Sequence, residues 1–295
     1  MPVRESAFVF GCENEELVGI IAAPAQAVAR VGVLVVVGGP QYRAGSHRQF
    51  VQLARRLAAD GVPCMRFDLR GMGDSTGEAP GFEDLGADIR AAVDTFIDRQ
   101  PGLREVVLWG LCDGASAACL YLTQDTRVRG AVLVNPWVRT AATQERAELG
   151  HYYGRRMKDP AFWRKLFEGD VSVGPAFAAF SGKAIRALLN GVRGNRPTER
   201  GEGFRDRMAR ALAMFPGPVL ITLSGVDLVA AEFRDFVRSE PRLKAWRQAQ
   251  TTRWLELPAA DHTFSADAER RTAEDATLDW LSMLTEADHE NIGAV

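Results

Sequence analysis

Apolar residues follow two alternating rhythms along this chain. Short runs rich in Val, Ile and Leu appear at 31–39 (VGVLVVVGG), 63–69 (PCMRFDL), 104–110 (REVVLWG), 130–136 (GAVLVNP), 217–224 (GPVLITLS) and 251–258 (TTRWLELP). Runs this short predict strands, with 31–39 reading as buried on both faces and 130–136 as another buried strand. Between them, apolar positions recur every three or four residues. Phe50, Leu53, Ala54 and Leu57 mark a helix over about 47–60, with Ser46 as its expected cap. Leu85, Ile89, Val93 and Ile97 mark another over 82–99. Further helices are expected in GASAACLYL (114–122), after Asp227, and over 267–285. Two edge-like strands, 6–10 and 17–24, come first. Strand and helix in alternation predict an α/β fold: a mostly parallel sheet with helices on both faces. Ligands of such sheets bind beyond the carboxyl ends of the strands, so Gly38-Gly39, Asp68, Cys112 and Asn135 are expected to converge there.

The rhythm breaks between about 138 and 213. No strong strand signal occurs there, whereas 161–167 and 179–192 read as helical and 193–203 (RGNRPTERGEG) reads as a polar loop. This segment is basic, with 15 Lys/Arg against 8 Asp/Glu over 139–210. The expected organisation is therefore a sheet domain built from 1–137 and 214–295, with 138–213 inserted as a helical lid.

Composition narrows the class of protein. The 295 residues are 46% apolar and 25% charged, ordinary for a globular chain long enough for a large core. A net charge of -2 argues against a dedicated nucleic-acid binder. The opening residues MPVRESAFVFG carry no charged-then-apolar leader pattern, and no apolar run approaches the ~20 residues of a membrane span. The expectation is a cytoplasmic protein without a membrane span; a homodimer is compatible with it. The four cysteines (Cys12, Cys64, Cys112, Cys119) form no C-x-x-C pair and have no zinc-ligand spacing, so neither metal nor cofactor is expected.

The chemistry gathers around Gly110-Leu111-Cys112-Asp113-Gly114. This is the G-x-S-x-G frame of a strand–turn–helix nucleophile elbow, with Cys in place of Ser. So sharp a reversal needs small neighbours, here Gly110, Gly114 and Ala115. It also sets the sulfur at a helix N-terminus, where the dipole favours an anionic nucleophile. The other three cysteines read as small buried apolar residues. Of the four histidines, His262 lies just past the last predicted strand and is the expected base. His47, at a helix start, and His151, beside Tyr152 and Tyr153, are rivals for a place at the pocket; His289 sits in a polar tail. Asp227, directly after a strand, is the expected partner of the His262 ring, with Asp261 as a competitor by adjacency. An acyl-transfer site also needs an oxyanion hole. One donor is expected from the Asp113 amide. The other should come from the GGPQYR loop, where Pro40 has no N–H, so Gln41 is expected, with Tyr42 as a fallback. Gly39, Tyr42, His47 and Trp137 complete the expected substrate-contacting set.

With these residues in view, a resemblance is plain. The loop DLRGMGDS (68–75) resembles the D-x-R-G-x-G-x-S segment of many α/β-hydrolases. More narrowly, VVVGGPQYRAGSHRQF, FDLRGMGDS, LWGLCDGASAA, LVNPWVRT and ADHTFS are similar nearly end to end to the exosortase A system-associated hydrolases, type one. These are bacterial proteins encoded near machinery for extracellular polysaccharide and protein sorting. That family's elbow often reads G-L-C-D-A, where this chain has Gly114. The resemblance implies an α/β-hydrolase fold and a Cys-His-Asp hydrolase, related to esterases and thioesterases, acting on a small-molecule acyl ester or thioester. An acyltransferase with the same triad, or a non-catalytic scaffold for polysaccharide assembly, remain the alternatives.

Overall fold

The computed structural model describes residues 1–26, 29–39, 41–139 and 203–292, with the backbone alone for 285–292. Eight strands form one sheet: β1 (Val3–Cys12), β2 (Glu15–Pro24), β3 (Val31–Val36), β4 (Cys64–Phe67), β5 (Glu105–Leu111), β6 (Val128–Val134), β7 (Val219–Ser224) and β8 (Thr252–Leu257). Their spatial order is β1-β2-β4-β3-β5-β6-β7-β8. The first two strands form an antiparallel hairpin, and β2 lies antiparallel to β4. From β4 to β8 every pairing is parallel, as the apolar runs predict. Helices among the described residues are α1 (Gln49–Ala59), α2 (Gly86–Arg99), α3 (Asp113–Tyr121), α4 (Phe204–Met214), α5 (Leu228–Ser239) and α6 (Asp267–Ile292).

The run at 31–39 lacks polar positions because both of its faces are covered. Leu34 and Val36 pack on one side, with Ile89, Val93 and Phe96 of α2, Ala118 of α3 and Leu212 of α4. Val31, Val33, Val35 and Val37 pack on the other, with Phe50, Leu53 and Leu57 of α1 and Trp280 of α6. The central strands β5 and β6 divide in the same way: Leu108 and Leu133 face the first cluster, Val107 and Val132 the second. A side-chain period of two places successive residues on opposite faces, so a strand between two helical layers must be apolar throughout.

Local details differ from the sequence reading at three places. The first strand runs from Val3, longer than expected, because its partner β2 supplies a full ladder from Pro24 to Glu15. Ser46 does not cap α1. A 3-10 turn over Ser46–Arg48 intervenes, with His47 and Arg48 at φ 53° and 60°, and the helix proper starts at Gln49. The third concerns the insertion, expected to end at 213. Met1–Val138 and Phe204–Val295 form one compact unit and Arg139–Gly203 a second. Thus α4 belongs to the sheet unit, where Met208, Ala209 and Leu212 are core residues. The expected helices over 161–167 and 179–192, together with Pro40 and His151, lie outside the described residues. Among those described, no helix is long and apolar enough to cross a membrane.

The DLRGMGDS loop turns out to be a brace. Asp68 is fully buried at the end of β4. Its carboxylate accepts the N–H of Arg43 (2.6 Å) and of Asp74 (3.0 Å) and pairs with the Arg43 guanidinium. Ser75 donates its hydroxyl to the Asp68 carbonyl (2.9 Å). Gly73, at φ 54°, passes so close that a Cβ there would fall 2.2 Å from Asp68 Oδ2. Arg70 in turn pairs with buried Asp88 of α2 (2.8 Å). The loop after β3, which carries Gly39 and Gln41, is thereby tied through Arg43 to the end of β4. Removing the carboxylate leaves the Arg43 guanidinium with exposed Asp74 alone and the Arg43 and Asp74 amides without their acceptor, so Asp68→Ala should destabilise the protein by about 3 kcal/mol. Asp68→Asn should cost less. Urea unfolding of both variants measures this; equal stability to the parent would contradict the bracing role.

Candidate active site

Cys112 sits between β5 and α3 at φ 58° and ψ -125°. A side chain-bearing residue rarely takes a positive φ, and the strain costs about 1–3 kcal/mol. Neighbouring groups fix it. The Cys112 N–H donates to the Val134 carbonyl (2.9 Å), and its own carbonyl accepts N–H groups from Ser116 (3.1 Å) and Trp137 (3.2 Å). The Ser116 hydroxyl donates to the Trp137 carbonyl (2.7 Å) and to that of Cys112 (3.3 Å), a fastening role. Small residues are obligatory around the bend. A Cβ on Gly114 would lie 2.4 Å from the Val36 carbonyl, and one on Gly110 2.6 Å from the Ala115 amide. Cys112 is partly exposed, whereas Cys12, Cys64 and Cys119 are buried. Burial pushes the Cys64 thiol up to about 12 and raises those of Cys12 and Cys119 as well.

His262 follows β8, and Asp227 follows β7. The His262 Nδ1 lies 2.8 Å from Asp227 Oδ2. The same carboxylate caps α5, accepting the N–H of Val229 (3.1 Å) and of Ala230 (3.3 Å), so its position is set by a helix start. Burial pushes the Asp227 carboxyl up, but the His262 bond and charge and the two amides outweigh it, and its pKa is lowered. The hydrogen bond to Asp227, then one to Cys112, raises His262 to about 10 against the opposing effect of burial. The imidazole is thus bonded to Asp227 and close enough to the elbow cysteine to feel its thiol, bringing together three residues separated by 115 and 35 positions in the chain. Asp261 is turned elsewhere, accepting N–H groups from Thr263 and Ser265 (3.0 Å each) and the Ser265 hydroxyl.

Two positions hold the His262 loop: Asn135, expected at this edge but with no role assigned by the sequence, and Ser224, not expected there. Asn135, fully buried at the end of β6 with φ 44°, donates from Nδ2 to the Ser224 hydroxyl (2.9 Å) and to the His262 carbonyl (3.1 Å). Its Oδ1 accepts the Ser224 N–H (2.8 Å), and the Ser224 hydroxyl donates to the Asp261 carbonyl (2.8 Å). A polar Asn-Pro closing an otherwise apolar strand is the sequence signal that points to Asn135.

The remaining expected contacts fall near the elbow in different ways. Trp137 is anchored by its backbone to Cys112 and is half-buried. His47 lies near enough to Asp261 to stabilise its carboxylate, and Tyr42 is exposed. The Gln41 N–H, expected as an oxyanion donor, donates instead to the Gly39 carbonyl (2.8 Å), because the chain closes a tight turn after Gly39. The Gly39 N–H points at the elbow instead: it donates to the Asp113 carboxylate (2.7 Å). That carboxylate also accepts the Gly114 N–H (3.1 Å). Beside this contact lies a cavity of about 200 Å³, lined by Leu69, Met72, Pro80, Phe82 and Leu85 together with Gly39 and Asp113. Among the described residues, no group of three or more His, Cys, Asp or Glu is placed to hold a metal ion.

Comparisons with known proteins place this geometry. The sequence model of the Alpha/beta hydrolase family matches residues 33–276. Among curated proteins, the Polyketide transferase grgF of Penicillium sp is 29% identical over 100 residues, which is 32% of this chain and 34% of that protein. The match thus spans about a third of that relative's length. Solved structures share the fold. The Pyrococcus furiosus esterase Pf2001 superposes with a TM-score of 0.63 at 17% identity, covering 95% of this chain and 91% of that one. Est1E from Butyrivibrio proteoclasticus, solved with ferulic acid bound, gives 0.60 at 15% identity over 94% and 100%. GrgF from Penicillium sp. sh18 gives 0.58 at 18% identity over 96% and 99%.

The His262–Asp227 pair has a pH signature. His262 is raised above its ordinary 6.5, so its contribution to stability is complete below that value and is lost as pH rises towards about 10. Asp227 is lowered, so its contribution is present above the ordinary 3.8 and is lost as pH falls further. Together they stabilise most between about pH 4 and 6.5. The difference in Tm between the protein and His262→Asn should be largest near pH 6 and shrink steadily towards pH 10. A difference independent of pH would contradict the pairing.

Proposed function

Because the chain belongs to the Alpha/beta hydrolase family, we propose that it is an acyl hydrolase in which Cys112 is the nucleophile, His262 the proton carrier and Asp227 the residue that orients the ring. The observation that carries this reading is the imidazole held 2.8 Å from Asp227, at the edge where the strained elbow presents Cys112, whose thiol also raises the ring's pKa. His262 Nε2 holds the proton given up by the Cys112 thiol, and the resulting thiolate attacks the carbonyl carbon of an ester or thioester. The carbonyl oxygen becomes an oxyanion facing the amides of Asp113 and Gly39. The C–O or C–S bond to the leaving group then breaks, His262 returns the proton to that group, and an acyl-Cys112 thioester remains. Water attacks the thioester, gives a proton to His262, and the acid leaves as the thiol re-forms. A ring held protonated well above neutrality by Asp227 and Cys112 suits the donor half of this cycle. An amide is a poorer substrate, because the thiolate departs more readily than the amine.

The apolar cavity beside Gly39 supports a compact apolar acyl group, since its walls are Leu69, Met72, Pro80, Phe82 and Leu85. The narrower resemblance to exosortase A system-associated hydrolases, type one, belongs to this proposal, as does a bacterial setting in polysaccharide assembly. A second reading rests on the relative named a polyketide transferase. The same acyl-Cys112 can pass its acyl group to an alcohol or thiol instead of water.

Cys112→Ala should abolish turnover of an activated aryl ester such as p-nitrophenyl butyrate. The parent, quenched early in turnover of the ester, should show a mass increase of one acyl group on Cys112 that Cys112→Ala lacks. Turnover by Cys112→Ala at the parent rate would sink the proposal. Added alcohol or thiol acceptors distinguish the two readings: product ester in place of acid supports transfer. Met72→Trp should narrow the cavity and lower kcat/KM for octanoyl against acetyl esters by about fivefold. An unchanged ratio would place the acyl chain elsewhere.

A further inference from the structure

We propose that the Asp113 carboxylate occupies the oxyanion site of the resting protein, so that a substrate is engaged only by displacing this internal anion from the Gly39 amide. The inference rests on the acyl-hydrolase reading above and adds a positioning residue to it.

Asp113 supplies two different groups to the site. Its backbone N–H is the amide that follows the nucleophile, the usual first donor of such a hole. Its side chain is an acceptor, and it lies where an oxyanion would be received. The carboxylate accepts the Gly39 N–H at 2.7 Å and the Gly114 N–H at 3.1 Å, and it also bonds its own N–H. The Gly39 amide, the one at this loop that faces the elbow, is therefore engaged by a carboxylate. A carboxylate oxygen is the nearest chemical stand-in for that oxyanion: a negative oxygen on carbon, received by backbone amides through charge-assisted bonds.

The site is shaped around the carboxylate. A Cβ on Gly38 would fall 2.1 Å from Asp113 Oδ1 and 2.2 Å from the Gly114 amide. A Cβ on Gly39 would be 3.7 Å from either carboxylate oxygen. With Gly38 pressed against it and the Gly39 N–H bonded to it, the carboxylate occupies the place at the Gly39 amide that a substrate oxygen would take. The charged neighbours are few. His262 acts on Asp113 by charge, and Cys112 adjoins it in the chain. Arg70 lines the adjoining cavity, but its guanidinium is held by Asp88 and Glu13. Among the described residues, no hydrogen bond or ion pair joins a Lys or Arg to Asp113, and the Gly39 and Gly114 amides are its principal partners.

The consequence is a competition. In the free protein the side chain and the substrate carbonyl seek the same donors, so apparent affinity falls by the fraction of molecules whose hole is open. Once the substrate is bound the carboxylate has moved away, and the chemical step proceeds with both amides available. A small ester with little other binding surface suffers most; a substrate that fills the apolar cavity can offset the displacement with remote contacts. The device acts as a filter for acyl groups that fit.

The test compares the parent with Asp113→Asn and Asp113→Ala, both of which retain the backbone N–H. The substrates are p-nitrophenyl acetate and p-nitrophenyl butyrate. With Asp113→Ala, KM for the acetate ester should fall about 5- to 10-fold, with kcat moving much less, and the preference for butyrate should shrink. Asp113→Asn, which keeps the shape and one acceptor oxygen, should fall in between. A carboxylate that merely ties the loop to the elbow predicts the opposite: both variants lose kcat and KM does not fall. That result, or an unchanged KM in Asp113→Asn, overturns the proposal while leaving the acyl-hydrolase reading intact. If the parent turns over neither ester and forms no acyl adduct on Cys112, the functional reading fails and this proposal fails with it.

Discussion

Everything at this site depends on one backbone conformation. Cys112 holds a φ of 58° that a cysteine left to itself avoids, and the surrounding chain leaves it no alternative. Its amide is taken by β6, its carbonyl by the first turn of α3 and by Trp137, and its flanks by glycines packed against β3. The strain is offset by ordinary folding interactions spread over several elements. In return a sulfur stands at a strand end, at the start of a helix, partly open to solvent.

The acid and the imidazole reach that sulfur by a different route. Each lies just beyond a parallel strand, and parallel strands deliver their carboxyl ends to the same edge. The edge alone is too coarse to set hydrogen-bond distances. Capping fixes Asp227, because its oxygens must also satisfy the first amides of α5. Asn135 and Ser224 fix the loop of His262 by bonding its backbone and that of Asp261. Asp68 and Arg43 fix the Gly39 loop on the far side of the elbow. These fastenings are buried or partly buried hydrogen bonds, and each costs free energy to leave unmade.

Much of this was legible in the chain. A strand covered on both faces must be apolar at every position, so the parallel core could be read residue by residue from 31–37, 106–111 and 130–134. The elbow was legible because its geometry tolerates so few residue types, and Asp227 over Asp261 because neighbouring side chains on a loop diverge. What was not legible depends on contacts between distant residues. Whether Ser46 caps a helix depends on the path of the loop before it, and that path is set by Arg43 reaching Asp68. The second oxyanion donor looked like Gln41 because Pro40 was laid over a general pattern. The amide that faces the elbow is that of Gly39, and a carboxylate from the following helix already bonds it. A short-range rule could not see a partner 74 residues away. Nor does the sequence mark the domain border: α4 falls within the stretch read as an insertion, and only its packing assigns it to the sheet unit.

The central claim is that one thiol of four is built to react, and its most direct test is competitive alkylation. The intact protein is treated with limiting iodoacetamide at neutral pH, digested, and each cysteine peptide quantified against time. The account predicts that Cys112 is labelled at least about ten times faster than Cys12, Cys64 and Cys119, which burial holds as inert thiols. It also predicts that this advantage is lost in His262→Ala. Equal, slow labelling of all four, unaffected by His262, would contradict it.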